Sequence, residues 1–217
     1  MERVPGNILA IESAVGDGSI SLFRGDSESS IERSGASRAE KIIIEIESLL
    51  REAAFAKNDL DLIAVSIGPG SYSGIRIGVS TALGLGHSLD VPVVGVSVLE
   101  ALASGVDDEK VIAVVPIGRS DLAWQAFAAD TNGAKRSMTE PSLDPISAFS
   151  ESLNDHPGLP IVAPNHCLEL LREATGESRN LIEIRSSLAS AIARLAAQHG
   201  RDLSVPKPIY MRSAVAR

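Results

Sequence analysis

The stretch "SIGPGSYSGIRIGVSTALGLG", residues 66–86, decides the fold, because it carries the chain from a strand into a helix through Gly68, Gly70, Gly74, Gly78, Gly84 and Gly86. Just upstream, "DLIAVSIG" reads as a strand, its near-continuous apolar run suited to burial on both faces. Downstream, a helix is expected from about Gly74 to Leu89. The turn between them is no Walker A loop, since Ile75-Arg76 follows Gly74 where that motif needs Lys-Ser/Thr. Nor is it the dinucleotide fingerprint, because the spacing is GxGxxxG. Two uses stay open: free backbone N–H groups offered to an anion at the start of the helix, or a close approach of another part of the structure.

The helix itself favours close approach. Gly74, Gly78, Ala82 and Gly86 fall four apart and form one stripe with almost no side chains. An interior glycine costs about 1 kcal/mol relative to alanine, so the stripe needs a compensating contact. That contact lies either inside the subdomain or across a subunit interface. Beside the stripe, Ile75, Val79 and Leu83 make an apolar row. An earlier stretch, "SRAEKIIIEIESLLREAAF", is also helical in period, and Ser37 with Glu40 supplies a capping box. Its Ile42, Ile43, Ile46 and Leu49, with Ile44, spread apolar surface over more of its circumference than one core contact requires. Two helices with surplus apolar surface point to an interface.

Working outward, "NILAIES", the turn "GDG", "SISLFR" and a strand around "SSIERS" read as a meander, and "PVVGVS" with the short helix "VLEALAS" closes an α/β subdomain over residues 1–103. A second subdomain, 104–217, opens the same way, with "KVIAVVPIG" and "LAWQAFAA" as paired strands. Then come a helix "DPISAFSESL", a strand "LPIVAP", a helix "HCLELLREAT", a strand "NLIEIRS" and a helix "SLASAIARLAAQHG". The shared opening suggests two related halves. The tail "VPKPIYMRSAVAR" begins too rich in proline to continue the last helix and reads as extended.

Composition narrows the function. Twenty Lys and Arg against 28 Asp and Glu leave a net charge of -8, which disfavours a broad polyphosphate-binding surface, so any nucleic acid is expected on a partner. Aromatics are only 3% of the chain, so the core must be aliphatic. One cysteine, Cys167, excludes an intrachain disulfide and reads as a small buried side chain. The N-terminal apolar run is short and broken by Glu12, which fits neither a signal peptide nor a membrane span, so a cytoplasmic protein is expected. The four histidines form no HxxxH or HExxH pair, so no metal site is expected. Ser71 and Ser73 read as turn and helix caps, lacking a nearby His-Asp partner. Glu12, at the end of the first strand, is placed to hold a metal-nucleotide complex or to cap its turn. Arg119, in the matching loop "PIGRSD" of the second half, is the remaining candidate for such a cleft.

Together "ILAIESAVGDGSISLF", "SIGPGSYSGIRIGVSTALGLG", "VPVVGVSVLEALA" and "PIYMRSAVAR" resemble the TsaB (YeaZ) family, in the same order and over nearly the whole chain. The resemblance implies an α/β, actin-like/Hsp70-like (ASKHA) ATPase fold of two related subdomains with mixed sheets. It implies a non-catalytic scaffold for the paralogue TsaD in forming threonylcarbamoyladenosine at tRNA position 37. TsaE is a further partner, tRNA is met through the complex, and self-association runs through helices matching residues 37–55 and 74–89. The alternative is an ATPase or phosphotransferase of the same fold, with Glu12 on the metal and Gly68, Gly70 and Ser71 on phosphate. The chain departs from the family pattern at three places. Glu12-Ser13 replaces Asp-Thr, Ile117-Gly118-Arg119 replaces Asp-Ala-Arg, and Arg38 stands near the place of a histidine. Loss of the second acid weakens a Mg-nucleotide site. The expectation is therefore no cofactor of its own, with ATP or ADP at a shared interface as the remaining option.

Overall fold

The computed structural model describes residues 6–25, 27–33, 39–176, 179–184, 186–199 and 205–211. The chain up to Val98, together with Ser186–Ile209, forms one compact unit, and the chain from Leu99 to the start of that returning segment forms the body of another. The first unit is built on β1 (Asn7–Glu12), β2 (Ser19–Arg24), β3 (Ser27–Glu32), β4 (Leu62–Ser66) and β5 (Val93–Val96). Their order in the sheet is β3-β2-β1-β4-β5. The three N-terminal strands pair antiparallel through tight connections, whereas β1–β4 and β4–β5 are parallel. A parallel neighbour needs a crossover, and the helices α1 (Ala39–Glu52) and α2 (Tyr72–Leu89) supply them. Of the proposed capping box, Ser37 lies outside the described residues.

Every residue of β4 is buried, as its unbroken apolar run requires of a strand covered on both faces. The covering includes α2, which packs on β4, and α6 (Leu188–His199), which packs on β1, β2 and β4. The division at residue 103 therefore needs amending, because this last helix, assigned from sequence to the second half, belongs to the first sheet. Its apolar period shows that it has a buried face but not which sheet receives it. The Ala189 N–H donates to Ser19 Oγ at 3.0 Å, and Arg194 reaches Glu28 at 3.6 Å, fixing the helix along β2 and β3.

The second unit repeats the plan. After α3 (Val98–Ser104), β6 (Lys110–Ile117) and β7 (Asp121–Ala129) form an antiparallel hairpin, and β8 (Lys135–Ser137) and β9 (Ser142–Pro145) both add to β7. On the other side β6 pairs parallel with β10 (Ile161–Ala163), and β10 pairs parallel with β11 (Leu181–Glu183). Read from β8, the order β8-β7-β6-β10-β11 matches that of the first sheet strand for strand. The expected helix over "DPISAFSESL" is shorter than its pattern: β9 takes its first residues, a 3-10 turn covers Ile146–Ala148, and α4 spans only Phe149–Ser152. Then α5 (Leu168–Thr175) precedes β11. Trp124, Phe149, Leu153 and Leu171 close the core of this unit, with Trp124 and Phe149 meeting edge to face at 6.3 Å. Among the described residues, no helix is long and apolar enough to cross a membrane.

Candidate functional site

The glycine-rich turn is where the sequence places chemistry, and its geometry shows what each glycine does. A Cβ on Gly74 would lie 1.9 Å from the Ser13 carbonyl oxygen, and one on Gly78 would lie 2.3 Å from Ser13 Oγ. A Cβ on Gly86 would lie 2.3 Å from Val93 Cγ2. The bare stripe is thus spent inside its own subdomain, where it lets α2 lie directly on the end of β1 and on β5. Ser13 locks the contact by donating from Oγ to the Gly74 carbonyl at 2.8 Å. Gly70 has the same role one turn earlier, since its Cβ would come within 2.3 Å of the Ala14 carbonyl oxygen. That oxygen accepts the Ser71 N–H at 2.7 Å. Gly84 lies off the stripe, with open space where a side chain would project. Ser71 is the N-cap of α2 and accepts from the Gly74 N–H at 3.3 Å, as its residue type suggests.

The interface candidates therefore divide. Ile42, Ile46 and Leu49 on α1 are buried, as are Ile75, Gly78, Val79, Ala82 and Gly86 on α2. They are core, not docking surface, because the period that faces them inward is the one that made them conspicuous in the sequence. Gly74 is half-buried against Ser13. What remains in solvent is Ile43 (39% exposed), Ile44 (63%) and Leu83 (42%), on two helices that touch each other. Tyr72, which sequence reasoning passed over, is 60% exposed at the start of α2, with the Arg76 guanidinium 5.4 Å from its ring centre.

Glu12 ends β1 fully buried, and its Oε1 turns back on the chain that follows. It accepts the Ala14 N–H at 2.6 Å and the Val15 N–H at 3.0 Å, with Ser66 Oγ more distant at 3.5 Å. Burial pushes its pKa from 4.5 up to about 7, opposed by those donors, while the nearby Glu32 charge raises it further. The amides with which a turn of this kind would grip phosphate are thus already engaged by the protein's own carboxyl, and Ala14 and Val15 are themselves buried. Gly68 and Gly70, proposed beside Glu12 for phosphate, are also committed. Gly68 adopts φ +97° under a crossing chain segment, and Gly70 lies on Ala14. Among the described residues no three His, Cys, Asp or Glu side chains are grouped to hold a metal ion. The donor set of this turn does not fit a metal-nucleotide complex in the arrangement it adopts. Arg119, in the second unit, is exposed in the three-residue turn between β6 and β7, where Ile117 pairs with Asp121. Cys167 is buried, which pushes its thiol up to about 11, so it is no nucleophile at neutral pH.

Two sheets with the same strand order, each an antiparallel meander extended by parallel strands, define an actin-like/Hsp70-like ATPase fold. YeaZ from Pseudomonas aeruginosa shares it with a TM-score of 0.76 at 20% identity, over 95% of this chain and 100% of that one. The ethanolamine utilization protein EutJ from Carboxydothermus hydrogenoformans shares it at 0.52 and 12% identity, over 89% of this chain and 90% of that one. At such identities the likeness is one of fold. The family model described as "TsaD: tRNA N6-adenosine threonylcarbamoyltransferase" matches residues 32–163. The tRNA threonylcarbamoyladenosine biosynthesis protein TsaB of Escherichia coli K12 is 28% identical over 131 residues, 58% of this chain and 57% of that protein. TsaB of Bacillus subtilis 168 is 51% identical over 59 residues, 27% of this chain and 26% of that protein. The matches thus span little more than half the length of the first relative and about a quarter of the second. The chain belongs to the TsaD family, on its TsaB (YeaZ) branch.

Proposed function

We propose that this chain acts in the tRNA threonylcarbamoyladenosine pathway as a non-catalytic scaffold that binds a TsaD paralogue through α1 and α2. The observation that carries the reading is the exposure of Ile43, Ile44 and Leu83 on two adjoining helices. Apolar side chains of that size, left in water on neighbouring helices, gain about 25 cal/mol per Å² when a partner covers them. The same face serves a homodimer when the partner is absent. TsaE joins the assembly, tRNA is engaged through the complex, and the location is cytoplasmic. The chain carries no cofactor of its own, so any ATP or ADP sits at an interface that the partner completes.

Co-expression with the TsaD of the same host, followed by copurification and mass spectrometry of the modified nucleoside, tests the proposal. Ile44→Glu combined with Leu83→Glu should abolish copurification and lower the modification while leaving the melting curve of the isolated chain within a few degrees of wild type. An intact complex with both charges in place would remove the basis for this docking face. Gly78→Leu is the wrong probe, since a side chain there strikes Ser13 and would unfold the subdomain before it touched a partner. The alternative, an independent ATPase, is addressed by calorimetric titration with Mg-ATP, where micromolar binding with turnover would displace the scaffold reading.

A further inference from the structure

We propose that residues 205–209 form a releasable strap across the glycine-rich turn, so that strap, turn and the start of α2 open and close as one local unit. The segment "VPKPI" is extended by its own composition. Pro206 and Pro208 fix their φ angles and bring no N–H that needs a partner, and Lys207, before Pro208, is held out of the helical region. The main-chain donor that follows is used, as Ile209 N–H donates to the Ile67 carbonyl at 2.7 Å.

Two glycines from different parts of the first unit make room for this crossing. A Cβ on Gly68 would lie 2.7 Å from the Ile209 carbonyl oxygen, and one on Gly95 in β5 would lie 3.0 Å from Pro206 Cα. Pro206 is buried, while Val205, Lys207 and Pro208 face solvent. Among the described residues, the strap is held by the buried Pro206 ring, the half-buried Ile209 and the Ile209–Ile67 backbone hydrogen bond, a short run of contacts of the kind that opens at low free energy. Beneath it the turn passes the constraint on. Gly68 accepts the Val98 N–H at 2.8 Å, Ile67 donates to Val96 at 3.0 Å, and Ser71 donates to Ala14 on the far side. The turn is thus held between the strap and the loop after β1.

Native-state hydrogen exchange on the full chain tests this. The amides of Ile209, Val98 and Ser71 should share one opening, with the same free energy and denaturant slope, below that of the Ile63 amide in β4. Ile209→Pro, which deletes the donor and keeps an extended backbone, should speed exchange at Val98 and Ser71 about fivefold, as expected from one lost hydrogen bond, with Ile63 unchanged. Ile209→Ala, which keeps the N–H, should change them less than about twofold. The proposal is overturned if Ile209 exchanges alone while Val98 and Ser71 wait for global opening, if Ile209 itself exchanges only together with Ile63, or if the proline variant leaves both reporters unmoved. The wild-type measurement decides the matter even if the proline variant does not fold.

Discussion

The two sheets have one strand order and two different investments at the same place. In the first, β1 ends in Glu12 and a six-residue turn, residues 13–18, follows before Ser19, the partner of Glu12. Its carboxyl is buried and supports the turn on which α2 rests. In the second, β6 ends in Ile117 and only Gly118, Arg119 and Ser120 precede Asp121. The crossovers differ in the same direction, with 14 and 18 residues in α1 and α2 against 4 and 8 in α4 and α5. A topology thus fixes where a site can be, while the residues at the strand ends decide whether anything is placed there. The first unit has the longer crossover helices and the turn that carries the buried carboxyl, and the second has shorter helices and a three-residue turn.

Substitutions can break this contrast at its strongest point. Gly74→Val should cost more than about 4 kcal/mol, because a side chain cannot share space with the Ser13 carbonyl, and it should be read as loss of soluble, cooperatively melting protein. The opposite outcome, a folded valine variant, would mean that α2 is free to shift on β1. In the second unit, Phe149→Ala should cost about 3–5 kcal/mol by leaving a cavity beside Trp124. Trp124 is the only tryptophan, so its fluorescence in a denaturant titration reports that unit alone.

The loaded turn has a pH signature. Because Glu12 binds its proton more tightly folded than unfolded, stability from this group is fully present below pH 4.5 and is lost as pH rises to about 7, by roughly 3 kcal/mol. Glu12→Gln keeps an acceptor for the Ala14 and Val15 amides and should flatten that slope in denaturant titrations run across the window. The matching turn of the second unit offers the smallest effect: Gly118→Ala, at φ +66° with open space around it, should cost about 1 kcal/mol and no more.

Most of the strands and both crossover helices of the first unit were legible because their apolar residues repeat with the period of their element over enough residues to be read. The four-residue spacing of Gly74, Gly78, Ala82 and Gly86 correctly announced close packing. What it packs against, Ser13 some sixty residues earlier, leaves no local mark. The same limit hid the sheet chosen by α6. The short strands β8 and β9 were missed since "KRS" and "SLDP" carry no apolar alternation and are strands only by pairing with β7. At the candidate interface, periodicity identified the helices but selected their buried residues. Ile43, Ile44 and Leu83 are among the apolar residues named from sequence, but only the assignment of the core face separates these three from their buried neighbours.

The return of α6 to the first sheet also orders events at the ribosome. About 90 residues separate the end of the first run of that unit at Val98 from Leu188, so synthesis at about 5–20 residues per second leaves its β-sheet without this helix for roughly 5–20 s. The body of the second unit, which begins at Leu99, emerges in that interval, and only its segment from Tyr210 follows α6. The nascent chain therefore meets the usual N-terminal-first order in reverse, and the exposed faces of β1, β2 and β4 are the surface that a chaperone would be expected to shield.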